Sequence, residues 1–477
     1  MFSYLIKSHA SLVEGYNLYT RSKRCAVRRS RLPHALWCFV LCVFAINVEA
    51  ETITTLEVAI EQAIQNDPWL ASSVERQKSL HSRGIAANTY PDPVLSFGVV
   101  NLPIDNFDFD QEPMTQLKVG VSQMLPRGDS LKLQKQKLDF QADETPLQRQ
   151  ERTANLRMII SILWLEAYQT QQSIKLIEQD QGLFEQLVAV AQLSYSSAIG
   201  KTRQQDLVRA QLELTRLEDR LLMLEQRHFA KRAALAELFP IENLGEILVE
   251  PKLENRLTTR NDLIARRPPL SLEEFNSSIQ HPSVWVFEKR LSALQTDVDI
   301  AQQKYVPQWG VNASYGYRES TPQGIGRSDF FSIGMSVDLP LFTNNKQDKE
   351  LSAAKSSVAA LKSDKLLEQR KLYTGYRSSL AELNRLDKRL HIYFEKLLPQ
   401  MSEQAESSLT AYTHNDGDFA EVMRARIAEL NAKIDFLDIQ IQRQKALAKL
   451  EYLLTDVHQV KPVVAGLDIA GELNNEN

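Results

Sequence analysis

Two hydrophobic rhythms run through the chain. Between Trp309 and Tyr317 every second position is apolar: Trp309, Val311, Ala313, Tyr315 and Tyr317 alternate with Gly310, Asn312, Ser314 and Gly316. A period of two belongs to a strand with one apolar and one polar face. The alternation recurs three times. Leu95, Phe97 and Val99 alternate with Ser96 and Gly98, and Leu117, Val119 and Val121 with Lys118, Gly120 and Ser122. Ile333, Met335, Val337 and Leu339 alternate with Ser332, Gly334, Ser336 and Asp338. These runs predict strands at 94–101, 115–124, 308–318 and 330–339. The polar loops NLPIDNFDFDQEPM and RESTPQGIGRSD join them in two pairs.

The second rhythm is helical. From Ser130 to Tyr195 the only breakers are Pro146 and Gly182, and from Lys346 to Tyr412 only Gly375 and Pro399. Each stretch predicts a helix roughly 100 Å long at ~1.5 Å per residue, with Pro146 and Pro399 expected to kink or interrupt it. Downstream, Leu207, Ala210, Leu214, Leu217, Leu221 and Leu224 step by threes and fours, as do Ile427, Leu430, Ile434, Leu437 and Ile441. This is the seam of helices packed knobs into holes. His228 falls on the next step of the first seam and reads as a seam-edge histidine, not a metal ligand.

The rhythms repeat as a set. Asp67-Pro68 returns as His281-Pro282, Tyr90-Pro91 as Tyr305-Val306-Pro307, Leu125-Pro126 as Leu339-Pro340, and Tyr195 with Gly200 as Tyr412 with Gly417. Four landmarks in order at a nearly constant offset predict a duplicated plan: helix, strand, loop, strand, long helix, turn, helix. The opening helices are expected at 56–88 and 272–304. The first repeat spans 51–239 with its tip at 195–206, a linker follows at 240–270, and the second spans 271–456 with its tip at 412–421. Residues 457–477 form a tail.

Composition sharpens this. Glycine and proline number 17 and 18 in 477 residues, which favours long helices. The net charge of −4 excludes a broad nucleic-acid surface. Residues 1–50 carry seven Lys or Arg, then the apolar run ALWCFVLCVFAIN, then VEA. A basic region, a short apolar run and small residues at −3 and −1 predict a secretory signal peptide; the run is too short for a spanning helix, which needs about 20 residues. Cys25, Cys38 and Cys42 all lie within it, so no disulfide or thiol chemistry is expected downstream. Removing it leaves the remainder more acidic, since it holds only two acidic residues.

Each alternating run has about the length of a tilted membrane-spanning strand. The apolar positions would face lipid, with aromatics at the interface, and the polar positions a wet lumen. The edges of four strands cannot stay open in lipid, so such a sheet must oligomerise to close. A soluble sandwich of two hairpins is the alternative that the pattern leaves open. No HExxH, P-loop or GxSxG occurs, and the GIG at 324–326 lies in a loop without the helix a nucleotide site needs, so no catalytic, cofactor or metal-binding residue is expected.

The segments NDPWLASSVERQKS, HPSVWVFEKRLSA, YPDPVLSFGV, YVPQWGVNASYGY, QMLPRG, DLPLF, YSSAIGKTRQQDLVRAQLEL and YTHNDGDFAEVMRARIAEL, in order and in both halves, resemble the TolC-like outer-membrane efflux channels. The resemblance covers nearly all of the chain beyond residue 50. It implies an α+β membrane protein of two internal repeats, in which long helices form a periplasmic α-barrel and four strands per protomer complete a trimeric twelve-stranded β-barrel. It implies a homotrimer in the outer membrane of a Gram-negative bacterium, docked on a periplasmic adaptor and an inner-membrane pump of the resistance-nodulation-division type. In that arrangement Trp309, Val311, Tyr315, Ile333 and Val337 face lipid, and Asn312, Ser314, Ser332 and Ser336 face the lumen. Gly200, Lys201, Arg203, Gly417 and Phe419 lie at the adaptor-contacting tips. The family's second tip carries two carboxylates in a pattern like D-V-L-D-A. Here that run is Glu421-Val422-Met423-Arg424-Ala425, with a cation in place of the second acid. An acidic constriction would then come from Glu421 with Asp416 or Asp418, the alternative being ordinary solvated turn residues.

PDPVLSFGVVNLP with QMLPRG is similar to channels of heavy-metal efflux, which implies metal cations as substrate. Drugs or other small molecules, and type I secretion, are alternatives. The scattered methionines show no ligand spacing. A rival of another class, a periplasmic coiled-coil adaptor or scaffold, would share the signal peptide and heptads but not the paired strands.

Overall fold

The computed structural model describes residues 55–196, 203–239, 248–249, 269–414 and 416–458. The predicted signal peptide, nearly all of the linker and most of the tail lie outside these residues. Helices α1 (Leu56–Gln65) and α2 (Pro68–Ala87) lead into strands β1 (Val94–Val100) and β2 (Gln116–Met124), then the long α3 (Ser130–Ser196) and its return helix α4 (Gln204–Ala236). The second half follows the same order. It has α5 (Leu272–Ser278), α6 (Pro282–Gln303), β3 (Gln308–Tyr317), β4 (Phe330–Asp338), α7 (Gln347–Ile392), a π turn at Tyr393–Leu397, α8 (Leu398–Thr413) and the return helix α9 (Phe419–Leu453).

Each opening helix expected from the sequence is two helices, and the duplicated proline is the reason. Pro68 and Pro282 have no amide hydrogen to continue α1 or α5, yet fit the first turn of a new helix. The Asp67 carboxylate caps α2 by accepting from the Trp69 amide at 3.1 Å, and the His281 ring caps α6 by accepting from the Ser283 amide at 3.2 Å. Asp67 also pairs with Arg152 at 2.9 Å, fixing the start of α2 against α3.

The two interior prolines behave differently. Pro146 leaves α3 unbroken over 67 residues. It removes the amide that would serve the Ala142 carbonyl four residues back, and the Thr145 hydroxyl donates to that carbonyl instead, at 2.8 Å. Pro399 does interrupt its helix: the π turn at Tyr393–Leu397 precedes it and separates α7 from α8.

Helix α3 packs against α1, α2, α4, α6 and α9. One core joins Leu56 and Ile60 of α1, Ile160 and Trp164 of α3, Tyr376 and Leu380 of α7, and Ile439 and Leu450 of α9. A second, towards the tip, joins Phe184 and Leu187 of α3, Ala210 and Leu217 of α4, and Val422, Met423 and Leu430 of α9. The heptad positions Leu207, Ala210, Leu214, Leu217, Leu221 and Leu224 all lie in that second core, as do Ile427, Leu430 and Ile434, while Leu437 and Ile441 join the first. His228 sits at the edge of the seam, Nδ1 donating to the Ala167 carbonyl at 3.1 Å; burial lowers its pKa and favours the neutral ring. No described helix is long and apolar enough to cross a membrane.

The four strands form one antiparallel sheet in the order β1-β2-β3-β4. Their bounds fall within a residue or so of those read from the alternation.

Candidate functional site

Register makes the two faces of the sheet chemically distinct. Leu95, Val121, Ala313 and Ile333 lie side by side across the four strands, and so do Phe97, Val119, Tyr315 and Phe331. These rows share one face. Ile333 is 79% exposed and Phe331 72%, and Trp309, Val311, Tyr315 and Val337 are also exposed. A continuous apolar face open to this degree would be abnormal in water.

The other face carries the row Ser96, Gly120, Ser314 and Ser332. Asn312, Ser332 and Ser336 are exposed on it, whereas Ser314 is buried among its neighbours. Polar side chains lie over glycines of the adjacent strand: a Cβ at Gly334 would stand 2.7 Å from the Asn312 amide oxygen, and one at Gly316 would meet Gln116. The glycines of the alternation therefore give neighbouring polar groups room to lie flat. Among the described residues β1 pairs only with β2 and β4 only with β3, so both edges present unpaired backbone.

Two arginines fasten the loops at one end of the sheet. The Arg318 guanidinium lies 3.9 Å above the Phe330 ring and donates to the carbonyls of Ser328 and Pro113. Arg327 donates to the Glu112 carbonyl, so the loop of the second hairpin is tied to that of the first. At the opposite end Arg127 pairs with Asp338 and donates to the Val306 carbonyl, locking the start of α3 to the sheet. The residue pattern gave no sign of either fastening.

The second helical tip is compact. The Asp418 carboxylate caps α9 by accepting from the Ala420 amide at 3.2 Å. The Asp416 amide donates to the Ala411 carbonyl at 2.9 Å. Gly417 passes so close to the end of α8 that a Cβ there would lie 2.7 Å from the Tyr412 backbone nitrogen. Phe419, expected at the adaptor-contacting surface, is instead buried and packs edge-on against Tyr412 at 5.5 Å. An apolar ring next to the heptad seam gains more from joining it than from facing water. Glu421 and Arg424 are exposed and paired at 3.6 Å, and the Arg424 Nε also donates to the Ala420 carbonyl. The acidic cluster expected from Asp416, Asp418 and Glu421 is thus partly committed: one carboxylate caps a helix and another faces a guanidinium. At the first tip the Arg203 amide donates to the buried carboxylate of Asp206 at 3.0 Å; Gly200 and Lys201 lie outside the described residues.

Ion pairs tie the tip to the long helix. Lys433 of α9 stands 3.9 Å from Asp180 of α3 and 3.2 Å from Glu429, which Arg426 holds at 2.9 Å. Burial, the leading cause, raises the pKa of Asp180 against the pull of Lys433. Further up, Glu166 binds both Lys231 of α4 and Lys445 of α9 at 2.7 Å. Burial alone would raise the Glu166 pKa, but the two lysines outweigh it and the pKa is lowered.

Residues 277–455 match the model of the outer membrane efflux protein family. No curated protein sequence matches the chain. A membrane protein from Pseudomonas aeruginosa has a TM-score of 0.71 at 16% identity, over 86% of this chain and 92% of its own. CusC, solved in a study of folding and transmembrane channel formation, has a TM-score of 0.69 at 13% identity, over 84% of this chain and 92% of its own. The open state of the Neisseria gonorrhoeae MtrE outer membrane channel has a TM-score of 0.66 at 16% identity, over 84% and 88%. Identities this low establish a shared fold: mainly long helices with four antiparallel strands.

Proposed function

We propose that the chain, whose residues 277–455 match the model of the outer membrane efflux protein family, belongs to that family and is the exit duct of a tripartite efflux system. Three copies join their four-stranded sheets into a closed barrel in the outer membrane of a Gram-negative bacterium. Their helices continue the duct into the periplasm, where the tips meet an adaptor and, through it, an inner-membrane pump of the resistance-nodulation-division type. The protein conducts passively, and catalysis lies with the pump.

The observation that carries this reading is the sheet. Its apolar face is open, its opposite face is polar, and both edges are unpaired. Lipid satisfies the first property, a wet lumen the second, and neighbouring copies the third. A periplasmic adaptor or scaffold would need none of them. The substrate we propose is heavy-metal cations, on the similarity of the first hairpin to metal-efflux channels; drugs and secreted polypeptides are the alternatives.

Fractionation and export assays test this. The protein should stay with outer membranes through a carbonate wash and should restore metal resistance to a strain lacking its own metal-efflux duct. Release by carbonate would overturn the channel reading. Restored dye resistance without metal resistance would overturn only the substrate.

A further inference from the structure

The two repeats differ in charge at one equivalent place. In the first, the Asp67 carboxylate caps α2 and pairs with Arg152 of α3. In the second, His281 takes the position of Asp67, and at nearly the same offset Glu368 of α7 takes that of Arg152. Helix α6 packs on α7 as α2 packs on α3, so acid and base have exchanged sides. His281 is 1% exposed, and its ring stands edge-on to Tyr452 of α9 at 5.1 Å. Both ring nitrogens are used. Nδ1 accepts from the Ser283 amide at 3.2 Å, and Nε2 donates to the Tyr452 carbonyl at 3.1 Å. This is the neutral ring, with its one proton on Nε2. The Ser283 hydroxyl lies 2.9 Å from Nδ1 and 3.2 Å from the Glu368 carboxylate.

We infer that His281 makes the start of α6 a pH-sensitive joint: a proton taken up at Nδ1 releases the Ser283 amide and turns the ring into a donor that reaches Glu368 through the Ser283 hydroxyl. A protonated Nδ1 has no lone pair left to cap the helix. It can donate to the Ser283 hydroxyl, whose own proton goes to Glu368. A cation at a helix N-terminus also opposes the helix dipole, so the first turn of α6 loosens. Histidine ordinarily titrates between about pH 5 and 8. A carboxylate and a guanidinium ordinarily keep their charges there, so the equivalent cap of α2 does not respond. The charged groups around the ring favour this response. Glu368 on α7 has Lys371 at 3.5 Å, and Glu151 on α3 accepts from the Tyr452 hydroxyl at 2.9 Å. Burial raises the pKa of that hydroxyl, and both Glu151 and Glu368 add to the rise. Glu288, the first charged residue of α6, is paired with Lys365. Beyond α9, Asp456 accepts from the Gln280 amide, and the His458 ring meets the Gln280 side chain, not the helix amides.

The test is hydrogen exchange of the purified full-length protein, read by mass spectrometry at about pH 7.5 and about pH 5, on either side of the histidine range, with exchange times scaled to the intrinsic rate. In wild type, protection of the peptide over the start of α6 should fall about fivefold on acidification, the size of a lost helix cap. Protection over the start of α2 should hold. His281→Asn supplies an acceptor that does not titrate and should keep the α6 peptide protected at both pH values. Glu368→Gln removes the counter-charge of the imidazolium and should move the fall to lower pH, whereas a merely structural role would lower protection equally at every pH. That variant decides the matter even where His281→Asn folds poorly. Equal protection of wild-type α6 at both pH values, or a fall shared by wild type and His281→Asn, would overturn the inference. So would a Glu368→Gln protein whose protection falls at the same pH as that of wild type.

Discussion

The sheet and the helical hairpins handle apolar side chains in opposite ways. In the hairpins they turn inward: Ile160, Trp164 and Phe184 are fully buried. In the sheet they turn outward: Phe97, Phe331, Ile333 and Met335 are each at least 70% exposed, while the opposite face of β3 and β4 carries mainly serine, glycine and asparagine. One chain in one solvent would not obey both rules. The difference teaches why the proposed channel needs two solvents, water around the helices and lipid around the sheet.

The contrast breaks most sharply at the sheet. Val311→Lys places a charge on the proposed lipid face and should cost about 2–4 kcal/mol near the bilayer midplane. Outer-membrane trimer on unheated gels should fall away, whereas Asn312→Lys on the other face should keep it. Equal yields for the two would contradict the assignment of faces. Gly417→Ala, at the opposite extreme of the protomer's chemistry, should loosen the tip by about 1–3 kcal/mol, because the new Cβ meets backbone and no side chain can rotate away. Faster proteolysis at the tip, with trimer yield unchanged, would register it.

Smaller effects sharpen the helical side. Thr145→Val leaves the Ala142 carbonyl without its donor beside Pro146 and should cost about 1–3 kcal/mol; the helical thermal transition should move down. The Glu166 carboxylate, whose pKa is lowered by Lys231 and Lys445, should contribute stability at neutral pH. A lowered pKa means that the contribution is present above the ordinary glutamate range and is lost as pH falls through the folded value. The stability difference between wild type and Glu166→Gln should therefore shrink in acid, as followed by denaturant titration at several pH values.

Much of the fold was legible in the sequence because its signals are periodic. A period of two survives in every strand, and each heptad position named from the pattern packs in one of the two cores. What the pattern hid depends on local chemistry. Asp67-Pro68 and His281-Pro282 were visible as a repeat, but their role as caps dividing each opening helix comes from hydrogen bonds to amides two residues on. Pro146 and Pro399 look alike in sequence and differ because only Pro146 has a threonine hydroxyl placed to serve the carbonyl it deprives. At the tip, Asp418 is at once a cap and an acid, and composition does not separate those roles. Phe419 sits next to a turn, which suggested a surface; its ring belongs to the seam. The staple formed by Arg318 spans residues more than 200 apart, beyond the reach of any periodic pattern.

The most direct measurement is a planar-bilayer recording of the purified full-length protein. Stable insertion with discrete, uniform conductance steps is the predicted result. Protein that associates with the bilayer, or remains in solution, without producing such steps would contradict the claim that this sheet closes into a conducting barrel.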